Sequence, residues 1–196
     1  VFRDFLVFDP KVFSMREEYR KGRFTDSVLR LVERSAEVLK IIDQFKEKPT
    51  PPGWSPWKPI CEKCGNLQTT AVTAVKKDAV DYVCKDYAFE ETTAKGCGHE
   101  GTSQLRKANG KLVWKSEWAA QWKAWSVCSE GSGKEYESRN SAFWVNAEIC
   151  ERVLGFPMPE PLFYEHIMIG GEKMSASKGN VVYPKDWLEV SRPECL

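Results

Sequence analysis

The sequence lacks any long apolar run and any large excess of one charge. No stretch approaches the ~20 consecutive apolar residues that a transmembrane helix needs, and no secretory signal opens the chain. The formal net charge of +1 gives no broad electrostatic footprint for nucleic acid, so a contact with RNA would require a local patch. A content of 42% apolar and 29% charged residues is typical of a globular protein. We therefore expect a soluble, cytoplasmic protein without membrane contact.

The most informative segment is an octapeptide near the C-terminal end, residues 173–180, which reads KMSASKGN. It follows an apolar run at 162–169 and two glycines, which predicts a loop at the end of a buried strand. Ammonium groups neutralise charge that moves along a polyphosphate, and hydroxyl groups donate to its oxygens. The alternative is a solvated turn of small polar residues. The preceding strand favours a phosphate-binding loop formed by Lys173, Ser175, Ser177 and Lys178.

Both ends of the sequence fall inside predicted elements. Residues 2–8 alternate like a buried strand, and the last residues follow a helix-start signal at Ser191, so we expect an internal piece of a longer chain. The intervening pattern predicts a short helix that ends near Gly22. It also predicts a long helix over residues 26–46, with Thr25 as its N-cap and one apolar face.

A proline-rich stretch divides the chain. Five prolines between Pro49 and Pro59 predict an extended connector, and we place a boundary at about residue 55. The predicted organisation has three parts, at residues 1–54, 55–105 and 106–196.

The middle part contains cysteines at the spacing of a zinc ribbon. A C-x2-C turn followed by glycine directs two thiolates at one centre, and a second pair from across a predicted hairpin, 68–75 and 79–84, completes a tetrahedron. A disulfide framework and a redox dithiol are weaker alternatives. His99 competes with Cys97 for the fourth position, since imidazole also binds zinc. The candidate ligands are Cys61, Cys64, Cys84, Cys97 and His99.

Tryptophans recur every four residues after this module. Trp114, Trp118 and Trp122 would form one aromatic stripe on a helix, and such a stripe usually belongs to the core. The functional alternative is an aromatic wall for a long cationic side chain, with Glu117 as the countercharge.

A glycine-containing segment, residues 131–137, precedes a predicted helix that runs from about Ser141 to Leu154 and ends at Gly155. Glycines permit close approach of the backbone to a ligand, and a helix N-terminus favours anions. Alone, this segment is a weak indication of a ligand site. Its position between the tryptophan stripe and the loop at residues 173–180 strengthens that indication.

The order of these motifs resembles that of class I lysyl-tRNA synthetases of the archaeal type. Residues 173–177 resemble their KMSKS signature, 114–122 resemble their W-R-x-D-W-x-x-R-W segment, and 133–136 are similar to their G-K-D-H. The cysteine-bearing stretch resembles their zinc-bearing insertion, so the resemblance covers nearly the whole chain. It implies an α/β fold: the second half of a Rossmann-type class I aminoacyl-tRNA synthetase domain with an inserted zinc-ribbon module.

The resemblance also implies an activity and its residues. Lysine would be activated by ATP, with Mg²⁺, to lysyl-adenylate and transferred to tRNA(Lys), while a structural Zn²⁺ holds the insertion. The implied catalytic residues are Lys173, Ser175, Ser177 and Lys178. ATP would contact Ile167, Met168, Lys173, Met174, Ser175 and Lys178. The lysine and ribose pocket would be lined by Trp114, Glu117, Trp118, Gly131, Gly133, Glu135 and Tyr136. Ala176 stands where the signature has its second lysine, and one hypothesis is that Lys178 supplies that charge.

Histidine is scarce, since His99 and His166 are the only two in the sequence. Class I synthetases have a second signature, P-x-x-x-H-x-G-H, on the first half of the fold, and this sequence does not contain it. We therefore expect that these 196 residues alone do not form the adenylate, because both halves of the fold must hold ATP. Two other functions stay open: a non-catalytic zinc-ribbon RNA-binding paralogue, and a class I synthetase for another amino acid.

Overall fold

The computed structural model describes residues 9–51 and 53–192, so the strand predicted at 2–8 lies outside the described residues. Helices and strands are mixed along the chain. The helices are α1 (Met15–Arg20), α2 (Thr25–Glu33), α3 (Ser35–Gln44), α4 (Trp114–Trp125), α5 (Ala142–Glu148) and α6 (Pro184–Val190). Among the described residues, no helix combines the length and the apolar content that a bilayer crossing requires.

The N-terminal helices differ from the prediction at two points. The short helix α1 ends before Gly22, as expected, but the predicted long helix is broken into α2 and α3 at Arg34, whose φ of −99° and ψ of 27° are not helical. At the break, the Arg34 guanidinium donates to the carbonyl oxygens of Arg152 and Val153, at 2.9 and 3.2 Å. Thr25 is the first helical residue rather than the N-cap.

The cysteine-bearing module is a three-stranded antiparallel sheet. Strands β2 (Thr70–Val75) and β3 (Ala79–Cys84) form the predicted hairpin, and β6 (Glu100–Gln104) pairs with the other edge of β3. In the sequence between β3 and β6, a smaller hairpin is formed by β4 (Tyr87–Ala88) and β5 (Thr93–Ala94). The sequence pattern did not predict β6, because the stretch EGTSQ has no apolar alternation.

Two further strands, β1 (Trp57–Pro59) and β7 (Gly110–Leu112), flank this sheet in the sequence and pair with each other in antiparallel orientation. The chain therefore enters and leaves the module at the same place. Trp57 is buried there, and its indole nitrogen donates to Ser103 at 3.1 Å.

The C-terminal part contains a parallel strand pair. Strand β8 (Ser129–Gly133) pairs with β9 (Glu160–Tyr164), and the intervening chain forms α5, which continues as a π-helical turn over Ile149–Leu154. A parallel pair needs such a crossover, and a helix usually forms it. The predicted helix from Ser141 to Gly155 is thus confirmed, with Ser141 at its N-cap and Gly155 at a φ of +64° after it.

The prediction of one buried strand over residues 162–169 is wrong. The strand β9 ends at Tyr164, and the apolar run continues as a separate short strand, β10 (Met168–Ile169). Leu162 and Tyr164 are each 61% exposed, whereas Phe163 packs on Phe143 of α5. The reason is that α5 covers one face of the β8–β9 pair, so alternate side chains of β9 point away from the core.

The buried side chain of Tyr19 connects α1 with α4, the helix that carries the tryptophan stripe. The Tyr19 hydroxyl donates to a Glu117 carboxylate oxygen at 2.7 Å and accepts from the Leu112 backbone N–H at 3.0 Å. Burial, together with the Glu117 charge, raises the pKa of Tyr19 far above its usual range, so this hydroxyl stays protonated.

Removal of this hydroxyl is expected to destabilise the protein. Tyr19→Phe leaves the Leu112 N–H unpaired and takes one donor from a buried carboxylate, so the free energy of unfolding should fall by about 1–3 kcal/mol. Urea denaturation measures the loss. Tyr164→Phe, which removes a hydroxyl from an exposed ring, is the matched control and should change stability by less than about 0.5 kcal/mol. Equal effects of the two variants would contradict the assigned role.

Candidate functional site

Four cysteine sulfurs form a cluster that can hold a metal ion. The Sγ atoms of Cys61, Cys64, Cys84 and Cys97 lie within 4.8 Å of one another. The Cys61–Cys97 and Cys64–Cys84 sulfur distances are 3.6 and 3.7 Å. A zinc–sulfur bond of ~2.3 Å gives a tetrahedron whose sulfur–sulfur edge is about 3.8 Å. The cluster therefore has the dimensions of a tetrahedral thiolate site.

His99, the alternative fourth ligand, lies outside this group. Its backbone carbonyl accepts the Cys84 N–H at 2.8 Å, and its ring packs edge-on against Tyr82 at 6.2 Å between centroids. The histidine thus contributes through its backbone and by packing. The fourth sulfur comes from Cys97, which the reverse turn at Gly98, with a φ of +72°, directs back to Cys84.

The sequence analysis did not single out Thr69, which contacts the cluster. Burial disfavours the Cys84 thiolate, but the Thr69 hydroxyl at 3.1 Å and the Cys97 N–H at 3.4 Å stabilise it. Together with the neighbouring thiols they lower the pKa of Cys84 to about 7. The thiolate is the form that binds metal, so the surroundings of Cys84 favour a metal ligand.

The lysine loop, residues 173–180, continues from a compact hairpin that begins at Met168. Strands β10 and β11 (Glu172–Lys173) pair across Gly170 and Gly171, which both have positive φ, and a 3₁₀ turn at Ala176–Lys178 follows. Asn180 closes the loop, because its side chain accepts the Ser175 N–H at 2.9 Å and donates to the Lys173 carbonyl at 3.1 Å. The hydroxyls of Ser175 and Ser177 lie 2.9 Å apart.

This closure is testable. Asn180→Ala should increase the hydrogen-exchange rate of the Ser175 amide about five- to tenfold, because the variant loses the acceptor that protects it. Asn180→Asp keeps an acceptor oxygen and loses only the donor to Lys173, so it should leave the Ser175 amide protected. Exchange that is fast in both variants, or slow in both, would contradict this role of the Asn180 oxygen.

The loop contacts the glycine-containing segment through His166. The Lys173 ammonium nitrogen lies 3.2 Å from His166 Nε2, which lies 3.9 Å from a Glu135 carboxylate oxygen. A second contact runs parallel to it, from Lys134 to Glu165, and this pairing lowers the pKa of Glu165. The two segments therefore meet where the parallel strands β8 and β9 end.

The glycine-containing segment also contacts the tryptophan stripe. Tyr136 packs edge-on against Trp118 at 5.3 Å, and Trp118 stacks on Trp114 at 5.0 Å. Trp118 and Trp122 are buried, whereas Trp114 is 44% exposed. The stripe thus belongs mostly to the core and reaches the surface at Trp114.

Glu117 lies away from this convergence. Its two oxygens are engaged by Tyr19 and by the Lys111 ammonium at 3.0 Å, and the residue is 4% exposed. The helix direction explains this, since Glu117 is one position before Trp118 and so about 100° around the axis. A free countercharge at Glu117 is therefore not what the structure shows.

Comparison with known proteins identifies the family of this chain. A family model described as tRNA synthetases class I (K) matches residues 2–196. The chain belongs to this family. A lysine–tRNA ligase of Methanosarcina acetivorans, named lysine–tRNA ligase 1, is 34% identical over 194 residues, covering 97% of this chain and 34% of the relative. The lysine–tRNA ligase of Halobacterium salinarum is 37% identical over 190 residues, covering 95% and 33%. The chain spans about a third of the length of these relatives.

The structure brings together three of the segments that the sequence analysis singled out. The loop at residues 173–180 contacts the segment from Gly131 to Tyr136 through His166, and that segment contacts the tryptophan stripe through Tyr136 and Trp118. Ile167 and Met168 at the start of the hairpin are more than half exposed, so they are open to a ligand. Three contributors escaped the sequence analysis: His166, Glu165 and Asn180. Asn180 is the last residue of the octapeptide 173–180, and the other two lie in the apolar run that precedes it.

Proposed function

We propose that this chain forms the part of a lysine–tRNA ligase that holds the polyphosphate of ATP and stabilises the pyrophosphate leaving group. The observation that carries the proposal is the meeting of the lysine loop with residues 133–136 at the ends of two parallel strands, where ligands bind in open α/β sheets. In support of a Rossmann-type arrangement, β8, α5 and β9 form one strand–helix–strand unit.

The proposed chemistry is attack of the lysine carboxylate on the α-phosphorus of ATP, which is supplied with Mg²⁺. The bond to the α-phosphorus forms as the bond to pyrophosphate breaks, and negative charge develops on the leaving group. Lys173 and the hydroxyls of Ser175 and Ser177 are placed on one loop to neutralise that charge. The exposed side chains of Ile167 and Met168 offer an apolar surface for the adenine.

The proposed lysine pocket follows from the same geometry. Trp114 presents an exposed aromatic face, and Glu135 is a half-exposed carboxylate on the adjoining segment. Because Glu117 is engaged elsewhere, we assign the countercharge for the substrate ammonium to Glu135. Gly133 permits the fold of this segment, since a Cβ there would lie within 2.4 Å of a Glu135 oxygen.

Zinc and tRNA complete the proposal. The sulfur geometry fits one Zn²⁺ held by Cys61, Cys64, Cys84 and Cys97, which would have a structural role because four thiolates leave no open position. Transfer of the lysyl group to the 3′ end of tRNA(Lys) would follow activation. A ligase of this kind works where tRNA is charged, so a cytoplasmic location is part of the proposal.

Lysine-dependent ATP–pyrophosphate exchange tests the function. It should be measured on the complete translation product of the reading frame that contains these 196 residues, with each of the other amino acids as a control. Exchange with lysine alone is the expected result. Exchange with a different amino acid would reassign the specificity. No exchange, with tRNA binding retained, would favour a non-catalytic RNA-binding protein.

A further inference from the structure

The two lysines of the signature loop have different partners. Lys178 lies 3.6 Å from a Glu172 carboxylate oxygen, so its charge is balanced within the loop. The Lys173 ammonium instead lies 3.2 Å from the imidazole Nε2 of His166. The contact orients the lysine, and a neutral ring does not cancel its charge.

The nearby carboxylates do not replace His166 in this contact. Glu165 pairs with Lys134, and the Glu135 carboxylate approaches the same imidazole nitrogen as Lys173, at 3.9 Å from Nε2. His166 thus contacts both the Lys173 ammonium and the Glu135 carboxylate, which form no ion pair with each other in the described part of the chain. Its side chain is 23% exposed, so the imidazole is partly enclosed between the two segments.

We propose that His166 is a positioning residue that holds Lys173 through a neutral acceptor, fixing the ammonium group while leaving its full charge for a polyphosphate. The proposal deepens the proposed function, and its tests do not depend on lysine activation. A charge that is oriented in advance loses less conformational entropy when the anion binds. A carboxylate in the same place would also orient Lys173 but would compete with phosphate for it.

The contact dictates one tautomer. An ammonium group has no acceptor, so Nε2 must accept and the ring proton must be on Nδ1. The ¹⁵N and ring ¹H correlations of His166 distinguish the two tautomers. We expect the Nδ1–H tautomer in the 196-residue chain and its loss in Lys173→Met. Lys178→Met removes the same charge from the same loop and should leave the tautomer unchanged.

Binding of inorganic tripolyphosphate tests the consequence, because this probe has neither adenine nor an amino acid. Calorimetry should show about fivefold weaker binding for His166→Leu, which removes the acceptor. His166→Gln keeps a neutral acceptor oxygen and should bind within about twofold of the parent chain. His166→Glu orients Lys173 but cancels its charge, so its binding should be at least as weak as that of the leucine variant. Circular dichroism checks that all three variants fold.

Each result decides the matter. The inference is supported if the parent has the Nδ1–H tautomer and if tripolyphosphate binds most tightly to the parent, nearly as tightly to His166→Gln, and more weakly to His166→Leu and His166→Glu. An Nε2–H tautomer in the parent chain, or an Nδ1–H tautomer that is unchanged in Lys173→Met, would contradict the contact between His166 and Lys173. Equal tripolyphosphate affinity in parent and leucine variant, or no measurable affinity in the parent, would overturn the role in anion binding. Failure of lysine-dependent exchange alone would affect only the proposed function.

Discussion

Removal of zinc from the cysteine cluster is expected to unfold the β2–β3–β6 sheet. The apolar core around the cluster is small, consisting of Cys61, Tyr82 and Cys84 with Cys97 packed against them. Val72 and Val80 add contacts with the main core, but these few apolar side chains do not compensate for the entropy of ordering the sheet, and in zinc-dependent modules the metal supplies the folding free energy, with apparent values of ~10–16 kcal/mol in peptides. A chelator should therefore abolish the β-sheet signal of the module and amide protection along β3.

Elemental analysis provides the direct measurement for this prediction. We expect about one zinc per chain, and none in Cys84→Ser, which removes a buried ligand. The matched control is Cys128→Ser, at an exposed cysteine outside the cluster, which should keep about one zinc and normal stability. A folded sheet in a metal-free sample would show that the four thiols need no metal.

Loss of the Lys173 charge is expected to have the second large effect. In the complete synthetase, Lys173→Ala should lower the rate of adenylate formation about 10²-fold or more, because the ammonium acts mostly on charge that develops in the transition state. The affinity for lysine should change little, because Lys173 is not part of the proposed lysine pocket, which Trp114 and Glu135 line. Single-turnover measurement of adenylate formation separates the two quantities.

Two neighbouring lysines sharpen the interpretation of that result. Lys185→Ala, at an exposed position in α6 after the loop, removes the same charge and should leave the rate unchanged. Lys178→Ala tests whether this residue supplies the charge that Ala176 lacks. A loss as large as that for Lys173 would support this substitution, and an unchanged rate would show that the loop works with one lysine. If Lys173→Ala itself keeps the parent rate, the loop has no role in the chemistry.

The sequence predicted local structure well where a repeat or a spacing encodes it. The four-residue recurrence of tryptophan predicted α4, and the C-x2-C turn with its hairpin predicted four sulfurs at one place. In both cases the information lies in residues close together in the chain, and chemistry restricts the outcome: indoles stack and thiolates converge.

Features that depend on distant partners could not be predicted. The break between α2 and α3 lies at Arg34, whose side chain binds carbonyls more than a hundred residues later, at Arg152 and Val153. The exposure of Leu162 depends on which side of β9 is covered by α5, and an apolar run does not carry that information. His166 looked like part of a strand, because only the folded hairpin brings its ring to Lys173.

The pairing of β1 with β7 makes the cysteine-bearing stretch a cassette. Ile60 donates its N–H to the Asn109 carbonyl at 2.8 Å, so the first and last residues of the cassette are neighbours, although almost fifty residues separate them. Such a stem lets insertions, deletions or whole replacements between these two residues occur without altering the distance from α3 to α4. The cysteine-bearing module and the rest of the chain can therefore change at different rates during evolution, although the two strands of the stem, the Trp57 side chain and the packing of Val80 and Leu105 in the main core link them.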